Sequence, residues 1–209
     1  MRPGEAMRLA LRDFYANSWR LVPVNAAFGA VLVVVGVAAI GARGALVLVV
    51  LAGPIAAALV HCAVTLVRTG NLVLADALEG LRLHWRRGLA LGAAGAALLG
   101  LGALAVRFYS GSTYAWPLVF LTVYVLVLLG IYQVVLWTLA IAEPDRPLRA
   151  VAGEAAALGA ARPGSTLLLG LALLLVNLAG VAAAVLPFLT LTIAYSFVAV
   201  AHFTLKEQS

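Results

Sequence analysis

The chain has 209 residues, 65% of them hydrophobic and 11% charged, with a net charge of +6 and a mean hydropathy of +1.10. An average soluble domain is roughly 45–50% apolar and about 25% charged, so this chain lacks the polar surface of a water-soluble fold and reads as an integral membrane protein. One cysteine, Cys62, excludes an intrachain disulfide, and the basic residues sit at the ends of apolar runs, not among exposed aromatics, which argues against nucleic acid as a partner.

A helix needs ~20 apolar residues to cross a hydrocarbon core of ~30 Å. In chain order the candidate spans are residues 21–42, ending before Arg43; 44–67, ending before Arg68; 89–106, closed by Arg107; and 117–142, stopped by "EPDRP". Residues 165–205 then run without Asp, Glu, Lys or Arg. At ~1.5 Å per residue this is about 60 Å, twice the bilayer core, which predicts two spans, 165–185 and 188–205, turning near "LPF" at Pro187. The expected fold is all-α: a polytopic transmembrane bundle of about six spans in one domain over residues 1–209. Five spans is the alternative if one of the last two only dips into the bilayer. The first span is too long for the apolar region of a cleaved signal and is expected to stay as an anchor.

Orientation follows from the basic residues. Six spans with both termini in the cytoplasm put twelve inside: Arg2, Arg8, Arg12, Arg20, Arg68, Arg82, Arg86, Arg87, Arg146, Arg149, Arg162 and Lys206. Only Arg43 and Arg107 fall outside. That is the positive-inside pattern of a plasma-membrane protein. Outside, "RFYSGSTYAWP" carries Tyr109, Tyr114 and Trp116 at an expected interfacial belt.

The charged stretch "LADALEGLRLHWRRG" (74–88) interrupts this apolar text. On a helix Leu74, Leu78, Leu81 and Trp85 form one stripe, opposite Asp76, Glu79, Arg82 and Arg86. It predicts an amphipathic helix lying in the interface before the second hairpin. "MRLALRDFYANSWR" stands in the same place before the first, and "RAVAGEAAALGAARPG" before the third. Trp19-Arg20 matches Trp85-Arg86, with Ala161-Arg162 a weaker copy. The expected plan is three transmembrane hairpins, each preceded by an interfacial amphipathic helix.

Chemistry-bearing motifs are scarce. "GLGALA" (100–105) matches a dinucleotide fingerprint in letters only, since it falls inside a span and not after a strand. Gly88, Gly92, Ala96 and Gly100 recur in steps of four, a ridge suited to close helix packing. "GEAAALG" (153–159) resembles the cytoplasmic docking loop of ABC-importer permeases, with its second glycine one position early. His61 and Cys62 are chain neighbours and point to different helix faces. His84 and His202 have no ligand-spaced partner, so no metal or cofactor is expected. No catalytic set is legible and no enzyme is expected; the spans hold no Asp or Glu, which weighs against a cation-coupled carrier. The intramembrane polar candidates are Asn25, His61, Gln133 and Asn177, with Tyr124 and Tyr132. Interhelical hydrogen bonding is the ordinary reading, and a ligand site the sharper one. Gly53-Pro54 is expected to kink the second span.

Over nearly its full length the chain resembles the YesL-like family of bacterial membrane proteins. The likeness rests on "W-R-x-x-x-V-N" (Trp19, Arg20, Asn25), "GPIAAAL" (53–59), "HWRRGLALG" (84–92) and "LPFLTLTIAYSF" (186–197). The departure is "LADALEGLRLHW", where relatives carry more Phe and Lys. The resemblance implies a small multipass protein of unassigned activity in the context of carbohydrate uptake. The expected function is therefore an accessory that acts by helix association, with the bilayer and either an ABC-type sugar transporter or a second copy as partners. A small permease or channel subunit is the alternative.

Overall fold

The computed structural model describes residues 1–41, 45–183, 187 and 191–205. Among these there are eight α-helices and one turn of 3-10 helix: α1 (Pro3–Ala16), α2 (Ser18–Gly41), α3 (Ala45–Thr69), α4 (Leu74–Ser110), the 3-10 turn (Thr113–Ala115), α5 (Trp116–Ala142), α6 (Leu148–Ala161), α7 (Pro163–Ala182) and α8 (Ile193–Leu205). The expected turns at Arg43 and at Leu186 and Phe188, and the C-terminal Lys206, lie outside the described residues.

Four stretches are long and apolar enough to cross a membrane: Val47–Thr69, Leu74–Ser110, Thr113–Ala142 and Pro163–Ala182. The pair Pro3–Ala16 and Ser18–Val34 passes the same test only when taken together, and it is bent by 99°. A helical membrane bundle is thus the architecture. α8 is apolar but has 13 residues, about 20 Å at ~1.5 Å per residue, which is short of the ~30 Å hydrocarbon core.

Local chemistry sets the ends of these helices. Pro3 and Pro163 sit in first turns, where the missing N–H costs nothing. α3 stops at Gly70, whose φ of +73° only glycine adopts readily, and the Gly70 N–H donates to the Leu66 carbonyl at 2.8 Å. α4 then starts at once: the Val73 N–H donates to the Asp76 carboxylate at 2.7 Å, a side-chain cap on its first turn. The α3–α4 connection is therefore very tight, and Arg20 of α2 donates into it, to the Asn71 side chain and the Leu72 carbonyl.

The structure corrects one of the three expected interfacial helices. Residues 74–88 are no separate element lying before a span at 89. They are the first turns of a single helix that runs without a break from Leu74 to Ser110, because nothing at Gly88 interrupts the ladder and α3 supports both halves. α1 and α6 are separate helices, and each buries a stripe against protein. Ala6, Ala10 and Phe14 of α1, and Val151 and Ala155 of α6, are buried in the main core. α1 docks on α8, where the Tyr195 hydroxyl donates to the Met7 carbonyl at 3.1 Å. α6 docks on α5, where the Tyr132 hydroxyl donates to the Ala152 carbonyl at 3.0 Å.

The closest pairing in the bundle is α3 against α4. A Cβ added at Gly88 would lie 2.7 Å from the Gly53 carbonyl oxygen and 2.7 Å from the Pro54 Cα; one at Gly92 would lie 3.0 Å from the Val50 carbonyl oxygen. Backbone meets backbone, as the small-residue ridge predicts. α3 continues through Pro54 as one helix, with the proline backed by Gly88. By contrast α7 touches its neighbours lightly.

Candidate functional site

The four polar candidates divide between separate places. Asn25 is fully buried on α2, and its side-chain oxygen accepts from the Ala194 N–H at 3.0 Å. That N–H belongs to the first turn of α8, so Asn25 anchors α8 from another helix. Asn177 of α7 works at the same end of α8. Its Nδ2 donates to the Leu173 carbonyl at 2.8 Å and to Ser196 Oγ at 2.7 Å, and its Oδ1 accepts from Thr192 Oγ1 at 3.0 Å. Both side chains fix α8 in place.

His61 meets a partner that spacing along the chain did not show. Its Nδ1 lies 3.2 Å from Nε2 of His84 on α4, with ring centroids 5.1 Å apart. One ring must donate and the other accept, so at least one imidazole is neutral. Gly80 makes room, since a Cβ there would come within 2.7 Å of His61 Cβ. His84 is the middle of Gly80, His84 and Gly88, all buried. The step of four that defines the ridge extends back to Gly80, and that was the legible signal. Among the described residues no group of three or more His, Cys, Asp or Glu could hold a metal ion.

Gln133 of α5 stands apart. It lines a cavity of about 230 Å³ with Phe28, Gly53, Gly92 and Phe197, and its Oε1 is buried without a hydrogen-bond partner among the described residues. Tyr124 is exposed. Sequence reasoning also missed the pair of Asp13 and His202, 2.9 Å apart, whose members lie at opposite ends of the chain.

The arginines at the end of α5 are structural. Arg87 donates to the carbonyls of Ala140 at 2.6 Å and Glu143 at 3.1 Å, and to those of Pro144 and Arg146. Arg68 donates to the Ala142 carbonyl at 3.0 Å. Two guanidinium groups thus satisfy the Ala140 and Ala142 carbonyls and face the negative dipole at the C-terminus of α5. Arg146 bonds Glu143 and Glu154, and these bonds raise its pKa further. The repeated Trp-Arg pairs share one geometry: the Arg20 guanidinium carbon lies 4.6 Å from the Trp19 ring centroid and that of Arg86 5.2 Å from Trp85.

A cavity of about 450 Å³ forms an apolar groove between α5, α7 and α8. The long apolar helices and their interhelical polar contacts define the class, a polytopic helical membrane protein. No family model, no curated protein and no solved structure matches this chain.

Proposed function

We propose that this is a multipass plasma-membrane protein that acts by association, as an accessory of an ABC-type carbohydrate-uptake system. The observation that carries the reading is the outward stripe of the first turns of α4. Leu74, Leu78, Leu81 and Trp85 are 46%, 72%, 36% and 46% exposed, while the packing against α3 is made on the adjacent face by Gly80, His84 and Gly88. Residues 88–106 of α4 are uncharged and at ~1.5 Å each cover about 28 Å, one hydrocarbon core. The turns before Gly88 then stand beyond the core on the basic side, holding an apolar stripe toward a partner. The resemblance to YesL-like proteins makes a sugar importer the first partner to test. A photo-crosslinking residue at Leu78 in cells tests this: adducts with a transporter subunit are expected, and adducts with lipid alone would overturn it. Adducts with a second copy would make self-association the mode of action.

The proposed topology is six spans in three hairpins with both termini cytoplasmic, supported by the twelve-to-two division of basic residues. A reporter fused after Ser209 reads it: a cytoplasmic signal supports six, an external one gives five.

A small permease is the second reading, favoured by the unpartnered Gln133 Oε1 at its cavity. Flux of sugars and ions in proteoliposomes, lost in Gln133→Leu, would support it; no flux of any solute would exclude it.

A further inference from the structure

The groove between α5, α7 and α8 follows from how α7 is held. It leans on α5 at Gly170, where a Cβ would come within 2.5 Å of Ile131, and it is tied to α8 through Asn177 and Ser196 at 2.7 Å. Between these points the helices stand apart, leaving a groove of about 450 Å³ walled by Val127, Gly130, Leu169, Leu173 and Phe203. That volume lies within the roughly 300–1,000 Å³ of ligand pockets.

Three features of the groove specify an occupant. Along α7 the groove reaches from Thr166 to Asn177, about 16 Å at ~1.5 Å per residue, which is the depth of one leaflet of a ~30 Å core. Thr166 is 9% exposed, and its Oγ1 is buried with no hydrogen-bond partner among the described residues. One turn before it stand the exposed Arg162 and the N-terminus of α7, whose first N–H groups and dipole favour an anion.

We propose that this groove is a site for one acyl chain of an anionic phospholipid. The chain fills the apolar length, the Thr166 hydroxyl donates to the ester carbonyl, and the phosphate lies at the start of α7 beside Arg162. The site is independent of the partner surface on α4.

Gly130 provides the test, because a Cβ there meets nothing within 4 Å, so Gly130→Phe fills the groove without a backbone clash. The full chain, purified in mild detergent and stripped of lipid, is titrated with palmitoyl-oleoyl phosphatidylglycerol or phosphatidylcholine and read by native mass spectrometry and thermal melting. The expected result is one phosphatidylglycerol per chain, preferred over phosphatidylcholine, with a raised Tm. Gly130→Phe loses the bound lipid and the Tm rise, and Thr166→Val and Arg162→Gln weaken binding about tenfold, equivalent to roughly 1.4 kcal/mol. Gly159→Phe, on α6, behaves as wild type. Unaltered lipid binding by a folded Gly130→Phe, or equal binding of the two lipids, overturns the proposal. So does a lipid-independent dimer that Gly130→Phe abolishes, which would make the groove a contact between copies. If Gly130→Phe fails to fold, Thr166→Val and Arg162→Gln decide, and unchanged affinity in both overturns the site.

Discussion

Gly53 and Gly88 sit backbone on backbone: a Cβ at Gly88 would lie 2.7 Å from the Gly53 carbonyl oxygen. This contact sets the distance between α3 and α4 and with it the register of His61 against His84. Replacement of Gly88 by Val should therefore separate the helices. Overpacking a well-filled contact costs typically 1–3 kcal/mol, and since the obstacle here is backbone, about 3 kcal/mol or more is expected. Gly95→Val on the same helix meets nothing within 4 Å and should be near neutral. Thermal melts of both variants in detergent check the pair, and equal Tm values would refute the close-approach account.

Arg87 should resist replacement by lysine. Its fork reaches four carbonyls, one in the last turn of α5 and three just beyond it, and a single ammonium cannot reproduce that planar geometry. Arg87→Lys and Arg87→Ala are expected to destabilise by similar amounts, about 2–3 kcal/mol, given ~1.5–3 kcal/mol for hydrogen bonds to a charged group. Full rescue by lysine would show that charge alone matters there.

Asn25 is expected to act through the Ala194 N–H. Asn25→Leu removes the side-chain acceptor of a buried N–H, at a cost of about 1–3 kcal/mol, whereas Asn25→Asp keeps an acceptor oxygen in place. Hydrogen exchange of α8 amides gives the readout: faster exchange at Ala194 is expected in the leucine variant, and identical exchange would remove the anchoring role.

Asp13 and His202 join α1 to α8 across the length of the chain. Asp13→Ala should loosen α1, with faster amide exchange across residues 3–16 and unchanged exchange in α4. Slow exchange retained in α1 would mean that the burial of Ala6, Ala10 and Phe14 holds it unaided.

Class and helical content were legible in the sequence because hydropathy and length act locally: a run of apolar residues must satisfy its backbone internally whatever surrounds it. The ridge of Gly88, Gly92 and Ala96 was legible for the same reason, since a step of four defines one face of any helix. Tertiary structure decided what those faces meet. The stripe of Leu74, Leu78, Leu81 and Trp85 was expected at the membrane interface and stays outside the protein core, because glycines and a histidine on another face allow α3 a closer approach. The apolar faces of α1 and α6 could equally have met lipid or protein, because both bury the same side chains, and only the packing of α8 and α5 against them made it protein. Asn25 with Ala194 and Asp13 with His202 are contacts between residues far apart in the chain, and hydrogen-bond partners over such separations carry no periodic signature. They exist only once the helices have been brought together.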